Sequence, residues 1–302
     1  MRLGIDIGGT KTAALVLGED GAVLTHASSP SGKGPTETLA TAVAVADEVA
    51  SAVGGWGAVT SVGACMPGLV DPGSGVVRHA VNLDVATLDL AGGIQAATGR
   101  RPSVDNDVKA AALGAHHVVR PGTGAATTAY LNVGTGLAAA IVHDGSVIRG
   151  AGGAAGEIGH LPVGSGEPCS CGQTGCLETV ASGRALSRMW SRPAAELFPA
   201  AEQGDEAACR VVATLAHGIA LAVQVLVLAG AELIVVGGGL TRDASALGSA
   251  VRSDIEERAA TSPFLARLGL ATRFRLLDHE TPVAAVGAAL LPPPVTADLA
   301  TA

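Results

Sequence analysis

Ile5-Asp6-Ile7-Gly8-Gly9-Thr10-Lys11-Thr12-Ala13-Ala14-Leu15-Val16 aligns without a gap on Leu131-Asn132-Val133-Gly134-Thr135-Gly136-Leu137-Ala138-Ala139-Ala140-Ile141-Val142. Gly8, Ala13, Ala14 and Val16 meet identical residues, and Ile5, Ile7 and Leu15 meet aliphatic ones. Each segment reads as an apolar strand, a Gly/Thr turn and a second apolar strand, the signature of a β-hairpin. Chance likeness is the alternative in an Ala- and Gly-rich chain, but strand, turn and strand coincide in both copies. The pair predicts two related α/β domains, each opening with a hairpin that faces a shared cleft.

Working outward, strand and helix patterns alternate. A helix is expected over Leu39–Val53, a strand over Val59–Cys65 and a short helix over Leu88–Thr98. A short strand over Pro102–Val104 and an Ala-rich helix over Val108–His117 follow. Alternation of this kind argues for a mixed or parallel sheet with helical cover. The Cys/Gly-rich stretch from Gly152 to Gly183 does not look like regular structure. Beyond it come helices, the strand Glu232–Val236 and a last apolar helix, Val283–Leu291, ended by Pro292-Pro293-Pro294. The tail to Ala302 is expected to be loose.

The chain has 302 residues, 48% of them hydrophobic and 15% charged, enough for a core and far from a disordered composition. Gly 42 and Pro 15 carry no three-residue period, which excludes collagen. A net charge of −8, with no run of Lys or Arg, argues against nucleic acid as a partner. Val211–Ala231 is long enough to span a membrane, but His217, Gln224 and Thr214 make it a buried helix instead. With no signal-peptide pattern either, a soluble cytoplasmic protein without a membrane partner is expected.

Several stretches carry chemistry. Gly8 and Gly9 at a hairpin tip let backbone N–H groups approach a phosphate, and Thr10 and Lys11 add side-chain donors. Asp6, at the end of the preceding strand, is placed to hold hydrated Mg²⁺. An ordinary Gly-Gly turn is the other reading of this motif. The second turn, Gly134-Thr135-Gly136, favours two turns that grip the phosphates of a nucleotide from both sides. Gly237-Gly238-Gly239 follows an apolar strand, where a nucleoside ring could lie, or simply a tight turn. Asp105-Asn106-Asp107 precedes a helix. Its members serve as N-caps, or Asn106 orients a hydroxyl while Asp107 takes its proton as general base.

His160, Cys169, Cys171 and Cys176 form His-x₈-Cys-x-Cys-x₄-Cys. Three thiols and an imidazole on a glycine-rich loop suit a tetrahedral structural Zn²⁺, with disulfides a minor alternative. Glu157 and Glu178 flank these ligands, either as the wall of a polar-ligand pocket with His160 or as solvated surface charges. Cys65 and Cys209 sit in apolar segments and are read as inert core residues.

These motifs, with Met66-Pro67-Gly68-Leu69-Val70-Asp71, Gly156-Glu157-Ile158-Gly159-His160 and Cys169-Ser170-Cys171-Gly172-Gln173-Thr174-Gly175-Cys176-Leu177-Glu178, resemble the ROK family of repressors and sugar kinases. The resemblance implies an actin-like (ribonuclease H-like) α/β fold of two domains about a cleft, with a zinc-stapled loop. A small domain over 1–107 would be joined by a C-terminal helix within 283–302, and 108–282 would form the large, nucleotide-binding domain. The implied reaction is Mg²⁺-dependent transfer of the ATP γ-phosphate to a hexose 6-hydroxyl, most often that of glucose. By position, Asp107 matches the base, and Gly68, Asn82, Asn106, Glu157, His160 and Glu178 match sugar-binding positions. Gly9, Thr10, Lys11, Thr135 and Gly136 match phosphate-binding ones. Val85 stands where glucokinase-like members often carry Trp, a smaller wall that would admit an N-acetylglucosamine or N-acetylmannosamine. Polyphosphate is a conceivable donor, and a non-catalytic sugar sensor is the alternative of a different class. The resemblance also implies a homodimer or homotetramer. Because the first hairpin begins at residue 3, no DNA-binding domain is expected ahead of it.

Overall fold

The computed structural model describes residues 1–277 and 281–293. The chain divides into two units, Met1–Val119 with the residues from Pro282 onward, and Arg120–Thr281.

Unit 1 is built on β1 (Arg2–Ile7), β2 (Lys11–Leu17), β3 (Val23–Pro30), α1 (Gly34–Ala52) and β4 (Ser61–Met66). There follow β5 (Leu69–Asp71), β6 (Val76–Ala80), β7 (Val85–Asp89), α2 (Leu90–Thr98), β8 (Ser103–Asn106) and α3 (Asp107–Thr123). The main sheet runs β3-β2-β1-β4-β8, with β1, β4 and β8 parallel and the hairpin strands antiparallel. Leu3, Ile5 and Ile7 of β1 alternate onto a core shared with Val45, Ala46 and Val49 of α1. α1 starts five residues before the expected Leu39: Gly34-Pro35-Thr36-Glu37-Thr38 form a mostly polar first turn, with proline suited to that place. The three-stranded sheet β5-β6-β7 has no counterpart in the sequence reading, since its strands of three to five residues are too short to show a period.

Unit 2 comprises β9 (Thr127–Val133), β10 (Leu137–His143), β11 (Ser146–Ile148), α4 (Gly183–Met189), α5 (Leu197–Glu202), α6 (Glu206–Leu228), β12 (Leu233–Gly237), α7 (Ala244–Thr261), α8 (Pro263–Leu268) and β13 (Phe274–Leu276). Its sheet order is β11-β10-β9-β12-β13, with β9, β12 and β13 parallel. Between β11 and α4 the chain forms short 3₁₀ turns and isolated bridges, Pro162 with Cys176 and Pro168 with Thr174. Asp205 caps α6 by accepting from the N–H groups of Ala207 and Ala208. Among the described residues α6 is the one helix long and apolar enough to cross a membrane, yet Ala216, Ile219, Ala220 and Val223 are buried in the core of unit 2.

The chain then returns to unit 1 as α9 (Val283–Ala289). It packs backbone to backbone: a Cβ on Gly4 would stand 2.0 Å from the Ala285 carbonyl oxygen, and one on Gly63 1.8 Å from that of Ala288. A Cβ on Gly287 would stand 1.7 Å from the Ala110 carbonyl oxygen of α3. Only side-chain-free positions permit this approach. The tail expected to be loose lies, from residue 294 on, outside the described residues. The first unit runs past the expected boundary at residue 107, because α3 contributes Ala110 to its buried core.

Two residue readings need correction. Cys209 is exposed on α6, its Sγ 3.5 Å from the Ala201 carbonyl oxygen, so it is not a core residue. Val85 is only 2% exposed and packs in the core of unit 1. It is therefore a core residue rather than an exposed wall.

Candidate functional site

In unit 1, Asp6 of β1 is level with Cys65 of β4, and Cys65 with Asp105 of β8. The carboxyl ends of these parallel strands therefore bring together Asp6, Met66-Pro67-Gly68 and Asn106-Asp107, the edge at which open α/β sheets take ligands. Asn106 caps α3, its Oδ1 accepting from the N–H of Val108 at 3.0 Å and of Lys109 at 3.4 Å. Its Nδ2 donates to the Gly68 carbonyl at 3.3 Å, which ties the Gly68 loop to the start of α3. Capping and ligand placement are thus compatible uses of Asn106, and the cap presents Asp107 on the first turn of the helix.

Beside them lies the first glycine turn. Gly8 N–H donates to the Lys11 carbonyl at 3.0 Å, and Ser31 Oγ donates to the Gly8 carbonyl at 2.6 Å. Thr12 Oγ1 meets Ser31 Oγ at 2.8 Å, while Thr10 and Lys11 remain exposed. Exposed Asn82 sits on the turn: a Cβ on Gly9 would stand 3.0 Å from its Cβ. Lys33 Nζ donates to the carbonyls of Gly9, at 3.5 Å, and Asn82. Ser31 and Lys33 escaped the sequence reading, since nothing in a polar Ser-Gly-Lys stretch signals a buttress for a turn twenty residues upstream.

Burial pushes the Asp6 carboxyl up to about 7, and the nearby Asp107 charge adds to the rise. The Cys65 thiol and Lys11 pull the other way. Cys65 Sγ lies 3.7 Å from Asp6 Oδ1 and 3.6 Å from the Ala284 carbonyl oxygen. Its own pKa is raised well above the usual thiol value, chiefly by burial, so it stays protonated. A carboxylate held so unwillingly in the ionised state is a place for a cation.

In unit 2 the equivalent level joins Asn132 of β9 to Gly237 of β12. Asn132 lies between two turns: a Cβ on Gly134 would stand 3.3 Å from its Nδ2, and one on Gly238 2.7 Å from its Oδ1. Gly134-Thr135-Gly136 and Gly237-Gly238-Gly239 are therefore neighbours. An open groove in the same unit is lined by Phe198, Ala201, Glu202, Val212 and Ser249.

The donor atoms of His160, Cys169, Cys171 and Cys176 all lie within 4.8 Å of one another. Cys171 Sγ and Cys176 Sγ are 3.7 Å apart, as are Cys169 Sγ and His160 Nδ1. Bonds of about 2.3 Å in a tetrahedron place sulfurs at roughly this separation, so the donor set fits Zn²⁺. A backbone N–H from Gln173 and the neighbouring thiols lower exposed Cys171 to about 7, whereas burial raises Cys176 to about 12. Two glycines seat the preceding segment: a Cβ on Gly156 would stand 1.9 Å from the Ala139 carbonyl oxygen, and one on Gly159 the same distance from that of Leu137. Glu157 is exposed in that segment. Glu178 is drawn toward the second glycine turn, its Oε2 accepting from the Leu137 N–H at 3.3 Å.

Residues 2–293 match the ROK family. The chain belongs to the ROK family. It is 30% identical over 312 residues to a glucokinase of Halalkalibacterium halodurans, covering 94% of this chain and 92% of the relative. It is also 31% identical over 247 residues to an N-acetylmannosamine kinase of Shigella boydii serotype 18, covering 79% and 82%. Among solved structures it is similar to a ROK family glucokinase from Streptomyces griseus in complex with glucose and AMPPNP, with 28% identity, a TM-score of 0.74 and coverage of 95% and 97%. The fold is the actin-like α/β fold of ROK sugar kinases, as the resemblance implied.

Proposed function

We propose that this ROK protein is an ATP-dependent hexose kinase acting on the sugar 6-hydroxyl, with glucose the preferred acceptor. The observation that carries the reading is Asp107, set on the first turn of α3 within electrostatic reach of Asp6 and alongside the Gly8–Lys11 turn. Asp107 takes the hydroxyl proton as the sugar oxygen attacks the γ-phosphorus. The bond to the bridging oxygen then breaks and ADP departs. Asn82, Asn106, Gly68, Glu157, His160 and Glu178 hold the sugar. His160 turns Nδ1 toward Cys169, which leaves Nε2 for a hydroxyl. The N–H groups of the Gly8-Gly9 and Gly134–Gly136 turns, with Thr10, Lys11 and Thr135, bind phosphates. The Gly237–Gly239 turn and the neighbouring groove take the nucleoside, which favours ATP over polyphosphate. Asp6 would hold magnesium through water, and the ion when bound offsets phosphate charge. Zinc has a structural role on the His160/Cys169/Cys171/Cys176 set. A cytoplasmic homodimer or homotetramer completes the reading, supported by the family alone.

An N-acetylmannosamine or N-acetylglucosamine kinase is the second reading, supported by the Shigella relative. Glu157 favours the first, since the family resemblance associates His at that position with some N-acetylmannosamine kinases. A coupled ADP-release assay with ATP and Mg²⁺ across glucose, mannose, fructose, N-acetylglucosamine and N-acetylmannosamine separates them. Glucose is expected ahead. An acetamido sugar ahead would transfer the assignment to the second reading, and sugar binding without turnover would make the protein a sensor.

A further inference from the structure

We infer that the zinc loop is the mechanical support of the Gly134–Gly136 turn, with Ser170 and Glu178 as the positioning residues that connect them. This rests on the reading of that turn as a phosphate-binding element.

The turn is held at three backbone groups. Its Gly134 carbonyl accepts from the Gly183 N–H at 2.7 Å, and its Thr135 carbonyl from the Arg184 N–H at 3.1 Å. Leu137 N–H, where the chain leaves the turn, donates to Glu178 Oε2. In a trans peptide the N–H points opposite to the carbonyl of the preceding residue. Holding the carbonyls of Gly134 and Thr135 therefore aims the N–H groups of Thr135 and Gly136 away from α4, together, as an anion-binding pair.

Two of these three anchors, Glu178 and Arg184, lead to the zinc loop. Glu178 Oε1 is 3.4 Å from Cys169 Sγ and 3.4 Å from Ser170 Oγ. Arg184 Nη1 donates to the same Ser170 Oγ at 3.3 Å. Ser170 lies between two of the proposed ligands, Cys169 and Cys171, so the ion that fixes them fixes Ser170 as well. With zinc bound Cys169 has no proton to give, and the Ser170 hydroxyl becomes the donor to Glu178. Gly136 admits the carboxylate, since a Cβ there would stand 2.7 Å from Glu178 Oε2. Glu178 thereby acquires a second task beside the sugar, setting the geometry of the phosphate turn.

Ser170→Ala tests this without touching a metal ligand. Zinc content is measured by mass spectrometry, and AMPPNP and glucose affinities by calorimetry, on full-length wild type, the variant and chelated wild type. The variant is expected to retain zinc and bind AMPPNP roughly fivefold more weakly, with glucose affinity changed less than twofold. Chelated protein is expected to lose roughly tenfold or more in AMPPNP affinity. Unchanged AMPPNP affinity in the zinc-replete variant overturns the inference while leaving the kinase reading intact. Wild type that binds glucose but no AMPPNP would overturn both.

Discussion

The hairpin β1–β2 and the hairpin β9–β10 open sheets of the same plan, an antiparallel meander followed by two parallel strands, and differ in what stands at the strand ends. Unit 1 places Asp6, Cys65 and Asp105 on one level, and unit 2 places Asn132 and Gly237 there. The turns differ too. Four residues, Gly8 to Lys11, separate the paired Ile7 and Thr12, whereas three, Gly134 to Gly136, separate Val133 and Leu137. One scaffold thus carries carboxyl groups at the strand ends of one copy and an amide at those of the other. An acid suits the place where a proton and a cation are handled. An amide suits a place that must accept phosphate without repelling it.

The largest effect should come from removing the acid on the first turn of α3. Asp107→Asn is expected to lower turnover by roughly 10³-fold with glucose affinity nearly unchanged, read from steady-state kinetics beside calorimetry. Near-normal turnover would end the assignment of Asp107 as base. The next concerns Asp6. Its folded pKa of about 7 lies above the ordinary 3.8, so the stability it contributes is full below about pH 4 and is lost as pH rises through about 7. Magnesium-free protein should lose about 2–4 kcal/mol of unfolding free energy over that window, and Asp6→Asn should flatten the curve. Since Asn132 does not titrate, a curve unchanged in Asp6→Asn would place the pH dependence elsewhere. The smallest is the converse substitution. Asn132→Asp puts an acid between the two turns of unit 2 and should raise the KM for ATP about tenfold, with the KM for glucose steady. A rise confined to glucose would break the assignment of the two copies.

How much of this could be read beforehand depends on the kind of signal. The two hairpins were legible because glycine and threonine between apolar runs leave few alternatives. The Cys/His cluster was legible because three thiols and an imidazole at such spacing have few other uses in a chain of this composition. The one-residue difference between the turns was hidden, since Ala138, Ala139 and Ala140 match Ala13 and Ala14 at either offset. β5, β6 and β7 were invisible because strands of three to five residues with irregular burial show no period. Cys209 misled because it adjoins the apolar run of α6 while facing outward, a matter of helix phase rather than composition. The anchors at Ser31, Lys33 and Arg184 engage backbone groups remote in sequence, and Ser170 joins two side chains eight and fourteen residues on, so none leaves a pattern along the chain.

The return of α9 to unit 1 also bears on how the molecule is made. Gly4, Gly63 and Gly114 meet their backbone partners only when residues 283–289 have left the ribosome, after the whole of unit 2. Leu15, Leu17 and Cys65 share their buried clusters with the same helix and wait with it. Unit 2, continuous in sequence, can close first, although domains made earlier usually fold earlier. The half that carries Asp6 and Asp107 is thus begun first on the ribosome and finished last, and the nascent chain must shelter its open face through most of synthesis.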